Sequence, residues 1–130
     1  MSDCVFCNIE SSRIIDSNER FYVINDGYPV TEGHILLIPK RHVGSFFELD
    51  KHEQSLCLDL LKTHQRLMKE GDKSITGFNI GVNVGKDAGQ TVMHCHVHLI
   101  PRRSGDMDDP RGGIRGVIPS KQIKANLTEI

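Results

Sequence analysis

The stretch His94-Cys95-His96-Val97-His98-Leu99-Ile100, closed by Pro101, constrains this chain more than any other. Alternation with period two is what a β-strand requires, because successive side chains point to opposite faces of a sheet. The pattern therefore predicts a strand carrying three imidazoles in a row on one face, with Cys95, Val97 and Leu99 directed into the core from the other. Neighbouring imidazole-bearing Cα atoms in such a row sit roughly 6.5–7 Å apart. Two chemistries suit it. A metal can take two of the rings as ligands, or a neutral imidazole can act as nucleophile while the other rings help to bind an anion. The ordinary histidine pKa of about 6.5 leaves a free lone pair at neutral pH, which serves the second role.

The rest of the composition narrows the setting. A chain of 130 residues is read as one domain, 1–130, long enough for a real hydrophobic core, with 103–130 as a C-terminal loop and arm. A formal net charge of −1 gives no general pull toward nucleic acid or membrane, and the absence of Trp removes one means of stacking a base. No apolar run approaches about 18 residues and no leader pattern opens the chain, so nothing is expected to target or span a membrane. Four cysteines, at positions 4, 7, 57 and 95, do not form a secreted disulfide framework, and a cytoplasmic location is expected.

Taken in order, the chain offers several further signals. Cys4-Val5-Phe6-Cys7 is half a zinc site, a redox pair or two free thiols; a redox motif wants a following βαβ pattern, which is missing, and zinc wants two more ligands. Phe21-Tyr22-Val23-Ile24 and Gly33 to Lys40 read as two strands of a hairpin, with Asn25-Asp26-Gly27 as a turn between them. Asp26 and His34 flank that connection; each also has an ordinary reading, as a turn-forming aspartate and a strand-end histidine. Asp50 to Glu70 is the one long helix, opened by an Asp50/Glu53 capping box and stopped near Gly71, with Leu56, Cys57, Leu60, Leu61, His64, Leu67 and Met68 as its apolar stripe. No functional role is expected for His52 or His64. Gly77 to Val84 is a third strand, with Phe78, Ile80, Val82 and Val84 on one face and Asn79, Gly81 and Asn83 on the other, where Asn83 offers both a donor and an acceptor. Beyond Pro101, Arg102, Arg103, Arg111 and Arg115 are spread through a Gly/Asp/Pro-rich segment, either a loop that reaches phosphates or a surface tail with balancing aspartates. Strands around one long helix give an α+β class with an antiparallel sheet.

The run from Gly89 through Gln90, Thr91 and the three histidines to Arg102 resembles the histidine triad (HIT) family, whose motif is His-x-His-x-His followed by two apolar residues. The resemblance implies a five-stranded antiparallel sheet with one long helix and a short N-terminal helix, the sheet being extended across a homodimer. It implies His96 as the nucleophile on a nucleotide α-phosphate, with His94, His98 and His34 around the phosphate. It also implies Asp26 on the ribose hydroxyls, Ile24 and Phe21 against the base, and Gln90, with Thr91 beside it, near the leaving-side phosphate oxygens. In zinc-bearing members the ligands correspond to Cys4, Cys7, His42 and His94, a closed structural site. Ala88-Gly89-Gln90-Thr91-Val92 is most similar to the fragile-histidine-triad dinucleoside hydrolases, whereas Asp26 matches the purine nucleoside phosphoramidase branch. The expected activity is hydrolysis of dinucleoside polyphosphates through a nucleotidyl-histidine. The alternatives are a phosphoramidase, a metal-dependent hydrolase, and a nucleotide-binding signalling protein with incidental hydrolysis.

Overall fold

A computed structural model describes residues 3–123. Five strands, β1 (Ile14–Ser17), β2 (Phe21–Asn25), β3 (Ile35–Pro39), β4 (Ile75–Gly81) and β5 (Val97–Arg103), and one long helix, α1 (Lys51–Gly71), carry the architecture. The strands form one antiparallel sheet in the order β1-β2-β3-β5-β4. The expected α+β class and five-stranded sheet are therefore present. Among the described residues, no helix is long and apolar enough to cross a membrane.

Asp50 caps α1: its carboxylate accepts from the Glu53 N–H at 2.8 Å, and the Glu53 carboxylate accepts from the Asp50 N–H at 3.0 Å. Glu53 is fully buried and also receives two guanidinium hydrogen bonds from Arg41. Cys57, Leu60 and His64 follow at helical spacing and are buried, while Leu67 is 48% exposed and lies off the stripe. Gly71 still belongs to the helix, which is capped by Asp72. Leu49, Cys57 and Leu60 pack on Phe21, Val23, Ile35, Leu37, Val97 and Leu99 to form the main core. Burying a side chain such as Leu60 contributes about 1.5–3 kcal/mol. His64 bonds Asp16 at 2.8 Å and ties the helix to β1, and His52 pairs with Glu19 at the surface.

Pairing in register puts opposite residues on one face. Tyr22 faces Ile38, and Ile24, Leu36, His98 and Gly81 form one row across four strands. That face is opposite α1, and it holds the second core of Ile24, Leu36 and Ile38 beneath Phe6, Ile9 and Ile14.

Three expectations about elements are corrected. The triad strand begins at Val97, not His94, because the Cys95 N–H is spent on the Val43 carbonyl at 2.7 Å instead of a sheet partner. Cys95 nevertheless joins the helix-side core with Val97 and Leu99. The third strand is Ile75–Gly81, so Asn83 lies in the loop after it. The short N-terminal helix is a three-residue 3-10 turn, Ser11–Arg13. The bulged strand β1 had no sequence expectation of its own; its turn into β2 is held by Asn18, whose side-chain oxygen accepts from the N–H groups of Arg20 and Phe21.

Candidate active site and metal centre

The open face of the sheet gathers the histidines. His98 stands on β5, His96 just before it, and His34 just before β3. Ring centroids are 5.4 Å apart for His96 and His98, and 5.1 Å for His34 and His98. Asp26 closes the group, with Oδ2 3.4 Å from His34 Nε2 and 3.9 Å from His98 Nδ1.

A chain of hydrogen bonds fixes where the protons sit. The Val30 N–H donates to His34 Nδ1 at 3.0 Å, so the proton of a neutral His34 is on Nε2. That Nε2–H lies 2.8 Å from His98 Nδ1 and donates to it. His98 consequently carries its own proton on Nε2, available to an incoming oxygen. Burial lowers the pKa of both rings; for His98 burial is joined by the neighbouring His34 and His96, which bring it down to about 4. Both are neutral donors at pH 7. On His96, Nδ1–H donates to the His94 carbonyl at 2.9 Å, which leaves Nε2 with a bare lone pair. A row with one bare nitrogen and a neighbouring N–H donor can attack an electrophilic centre and hold the oxygens around it.

The fourth histidine belongs to a second cluster. His94 is fully buried and its Nε2–H donates to the Pro39 carbonyl at 2.7 Å, which turns the Nδ1 lone pair outward. There it lies 3.1 Å from His42 Nδ1, 3.4 Å from Cys4 Sγ and 3.5 Å from Cys7 Sγ; Cys7 Sγ is 3.1 Å from His42 Nδ1. Two thiolates and two imidazole nitrogens at these separations suit a tetrahedral Zn2+ with bonds of about 2.3 Å to sulfur and 2.0–2.1 Å to nitrogen. Cys57 and Cys95, by contrast, are buried, with thiols pushed up to about 11 and about 12, and serve as core.

Not every anticipated ligand contact is available. Phe21 is corrected outright: it belongs to the helix-side core, on the face away from the histidines. Ile24 is on the histidine face but fully covered, so Phe6, Ile9 and Ile14 supply the apolar surface above it. Asn83 is half-buried in the loop after β4, and Thr91 is exposed. Gln90 is corrected as well: its Nε2 donates to the carbonyls of Gly44 and Val92, and its Oε1 accepts from the Gly85 N–H. It fastens the loop ahead of the triad instead of facing a phosphate. Among the arginines, Arg102 pairs with Asp106 and Asn79, Arg103 with Asp72, and Arg111 with Asp109, so these three are committed within the protein.

Two site residues were missed. Phe6 meets His96 edge-on at 5.0 Å and His94 at 6.1 Å. Its place inside Cys4-Val5-Phe6-Cys7 was the available signal, because a metal clamp at both cysteines would fix the residue between them. Val30 acts through its backbone, which no side-chain pattern can announce; the Thr31 hydroxyl donates to the Pro101 carbonyl at 2.6 Å and anchors that loop to β5.

Comparison with known proteins accords with this geometry. The HIT domain matches residues 8–105. A HIT-like protein of Saccharolobus solfataricus is 35% identical over 109 residues, covering 81% of this chain and 78% of that protein. The bis(5'-adenosyl)-triphosphatase of Dictyostelium discoideum is 35% identical over 103 residues, 78% of this chain and 67% of that enzyme. A crystal structure of a Zn-bound histidine triad family protein from Mycobacterium smegmatis superposes with a TM-score of 0.72 at 37% identity, covering 80% of this chain and 78% of that one. Matched by the HIT domain over most of its length, and 35% identical to a relative that it covers beyond two thirds, the chain belongs to the histidine triad (HIT) domain family.

Proposed function

We propose that this protein hydrolyses dinucleoside polyphosphates, diadenosine forms first, by way of a nucleotidyl-histidine on His96. The observation that carries the reading is the bare Nε2 of His96, set by the Nδ1–H bond to the His94 carbonyl. In the first step Nε2 attacks the phosphorus bonded to the nucleoside. The N–P bond forms, the P–O bond to the leaving nucleotide breaks, and the leaving oxygen takes the electron pair. His98 Nε2–H stabilises the charge that gathers on the phosphoryl oxygens. Water then attacks the same phosphorus, the N–P bond breaks, and a nucleoside monophosphate leaves. Asp26 holds the ribose hydroxyls, with the base over Phe6 and Ile9. His94 is spent on the metal cluster and transfers no proton.

Zinc held by Cys4, Cys7, His42 and His94 would be structural, because four protein ligands leave no position for water. The protein's own residues then gain a fixed N-terminal segment, with Phe6 against His96. The similarity to a bis(5'-adenosyl)-triphosphatase supports the substrate class. The internal pairing of three arginines favours the second reading, a phosphoramidase whose leaving group needs no phosphate contact. Comparing kcat/KM on diadenosine triphosphate and adenosine 5'-phosphoramidate decides between them, and a clear preference for the phosphoramidate overturns the first.

We also propose a homodimer joined along β4. That strand is a free edge of the sheet among the described residues, and its Ile80 is 54% exposed beside an apolar cleft lined by Phe46, Leu58, Leu61 and Val82. The buried thiols of Cys57 and Cys95, with Cys4 and Cys7 gathered at the metal-ligand cluster, support a reducing, cytoplasmic setting.

A further inference from the structure

The Gly/Asp/Pro-rich segment after β5 has no part in the reaction as described, yet it builds a wall beside it. A hollow of ≈ 400 Å3 lies between β4–β5 and this segment, lined by Val30, Asn79, Ile100, Arg102, Ile114 and Val117. Ile100 follows His98 by two residues on β5 and pairs with Asn79 on β4, so the hollow continues the histidine face. Ile100, on its floor, is four residues along the chain from His96, roughly 13 Å.

The wall is preformed. Gly112 has a φ of +85°, and a Cβ there would overlap the Gln122 carbonyl. The Gln122 side chain donates to the carbonyls of Asp109 and Arg111 and closes the segment on itself. It presents Ile114 and Val117 to solvent at 58% and 79% exposure, facing Val30 at 70%. The floor is polar but uncharged overall. Arg102 is neutralised by Asp106, and its Nη1 donates to Asn79 Oδ1 at 2.7 Å, which leaves the Asn79 Nδ2 donors directed toward Gly113.

We propose that this hollow is the subsite for the distal nucleoside, the half that departs with the leaving group; the proposal rests on the dinucleoside reading above. A compensated guanidinium does not select an anion, so the occupant is a neutral ring system. Aliphatic walls cover the faces of a base, and amide donors meet a ring nitrogen or a ribose oxygen. The offset from His96 is one that a polyphosphate bridge spans and a single phosphate does not. Selectivity for the leaving side then comes from the far nucleoside and not from arginines on the phosphates.

The test uses the full chain, a methylene-bridged diadenosine triphosphate that cannot be cleaved, and AMP. By calorimetry the analogue should bind wild-type protein about tenfold more tightly than AMP, and Ile114→Asp and Val117→Asp should each erase the advantage while leaving AMP binding intact. In turnover, the same variants should raise KM for diadenosine triphosphate about tenfold and leave adenosine 5'-phosphoramidate unchanged. Equal affinity of wild type for analogue and AMP overturns the subsite alone. Failure of wild type to bind either nucleotide overturns the function and the subsite with it. A change in oligomeric state on light scattering, or equal damage to both substrates, makes the surface a subunit contact or a structural element and refutes the proposal.

Discussion

His96 Nδ1 lies 2.9 Å from the carbonyl oxygen of His94, so the ring with the bare nitrogen is oriented by the backbone of a residue whose own ring faces the metal cluster. The metal-ligand cluster and the proposed nucleophile are thus coupled through one residue. The coupling is buffered, because His94 has a second anchor in the Pro39 carbonyl at 2.7 Å. Purified protein should carry about one zinc per chain, lost in Cys4→Ser or Cys7→Ser. Thermal melts of those variants should shift down by several degrees, while kcat measured well below the melting temperature falls by less than about tenfold. Metal-free protein of unchanged stability would refute the site and leave the His96 assignment untouched.

The His96 role is tested by His96→Ala. Turnover should fall by about three or more powers of ten, with the affinity for AMP changed by less than about fivefold. Mass spectrometry of wild type quenched during turnover should find an adduct of one nucleotidyl group, absent from the variant. Near-normal activity in His96→Ala would sink the assignment.

Much of this site was legible because alternation is a backbone rule. Cys95, Val97 and Leu99 go to the core and His98 to the open face whatever else the chain does. His94 fits the same row in sequence, yet its ring belongs to the neighbouring cluster, and only the approach of the N-terminal cysteines reveals that. Phe21 failed for the complementary reason. Ile24 sits three residues later in the same strand, so the two must face opposite ways, and one could not share the other's ligand. The arginines carried a readable warning. Arg102 and Asp106 are four apart and Arg111 and Asp109 two apart, spacings at which short-range pairs form before any ligand arrives. Gln90 and Val30 act through contacts with distant backbone, to which local pattern is blind.

Gln90 offers a prediction about stability that separates it from phosphate binding. Its 5%-exposed amide satisfies Gly44, Val92 and Gly85 at once. Gln90→Ala removes three part-buried hydrogen bonds at once and should cost about 1–3 kcal/mol by urea unfolding. Gln90→Glu keeps the acceptor to Gly85 but loses both donations, and should cost a similar amount. A residue that acted only on substrate phosphates would leave both midpoints unmoved and change KM instead.

The last prediction concerns acid. Burial and two histidine neighbours hold His98 down at about 4, below the unfolded value of about 6.5, and burial lowers His34 in the same direction. Between those two pH values the unfolded chain binds protons that the folded chain refuses. Stability is therefore full above about pH 6.5, and falls as the pH drops through the window toward 4. His98→Asn removes one such group, so its melting temperature should decline less steeply across that interval than that of wild type. The rest of the chain is the same in both proteins and cancels from the comparison. Parallel melting curves over the whole range would mean that His98 takes up its proton in the folded state as readily as in the unfolded one. The neutral N–H donor assigned to it would then be lost.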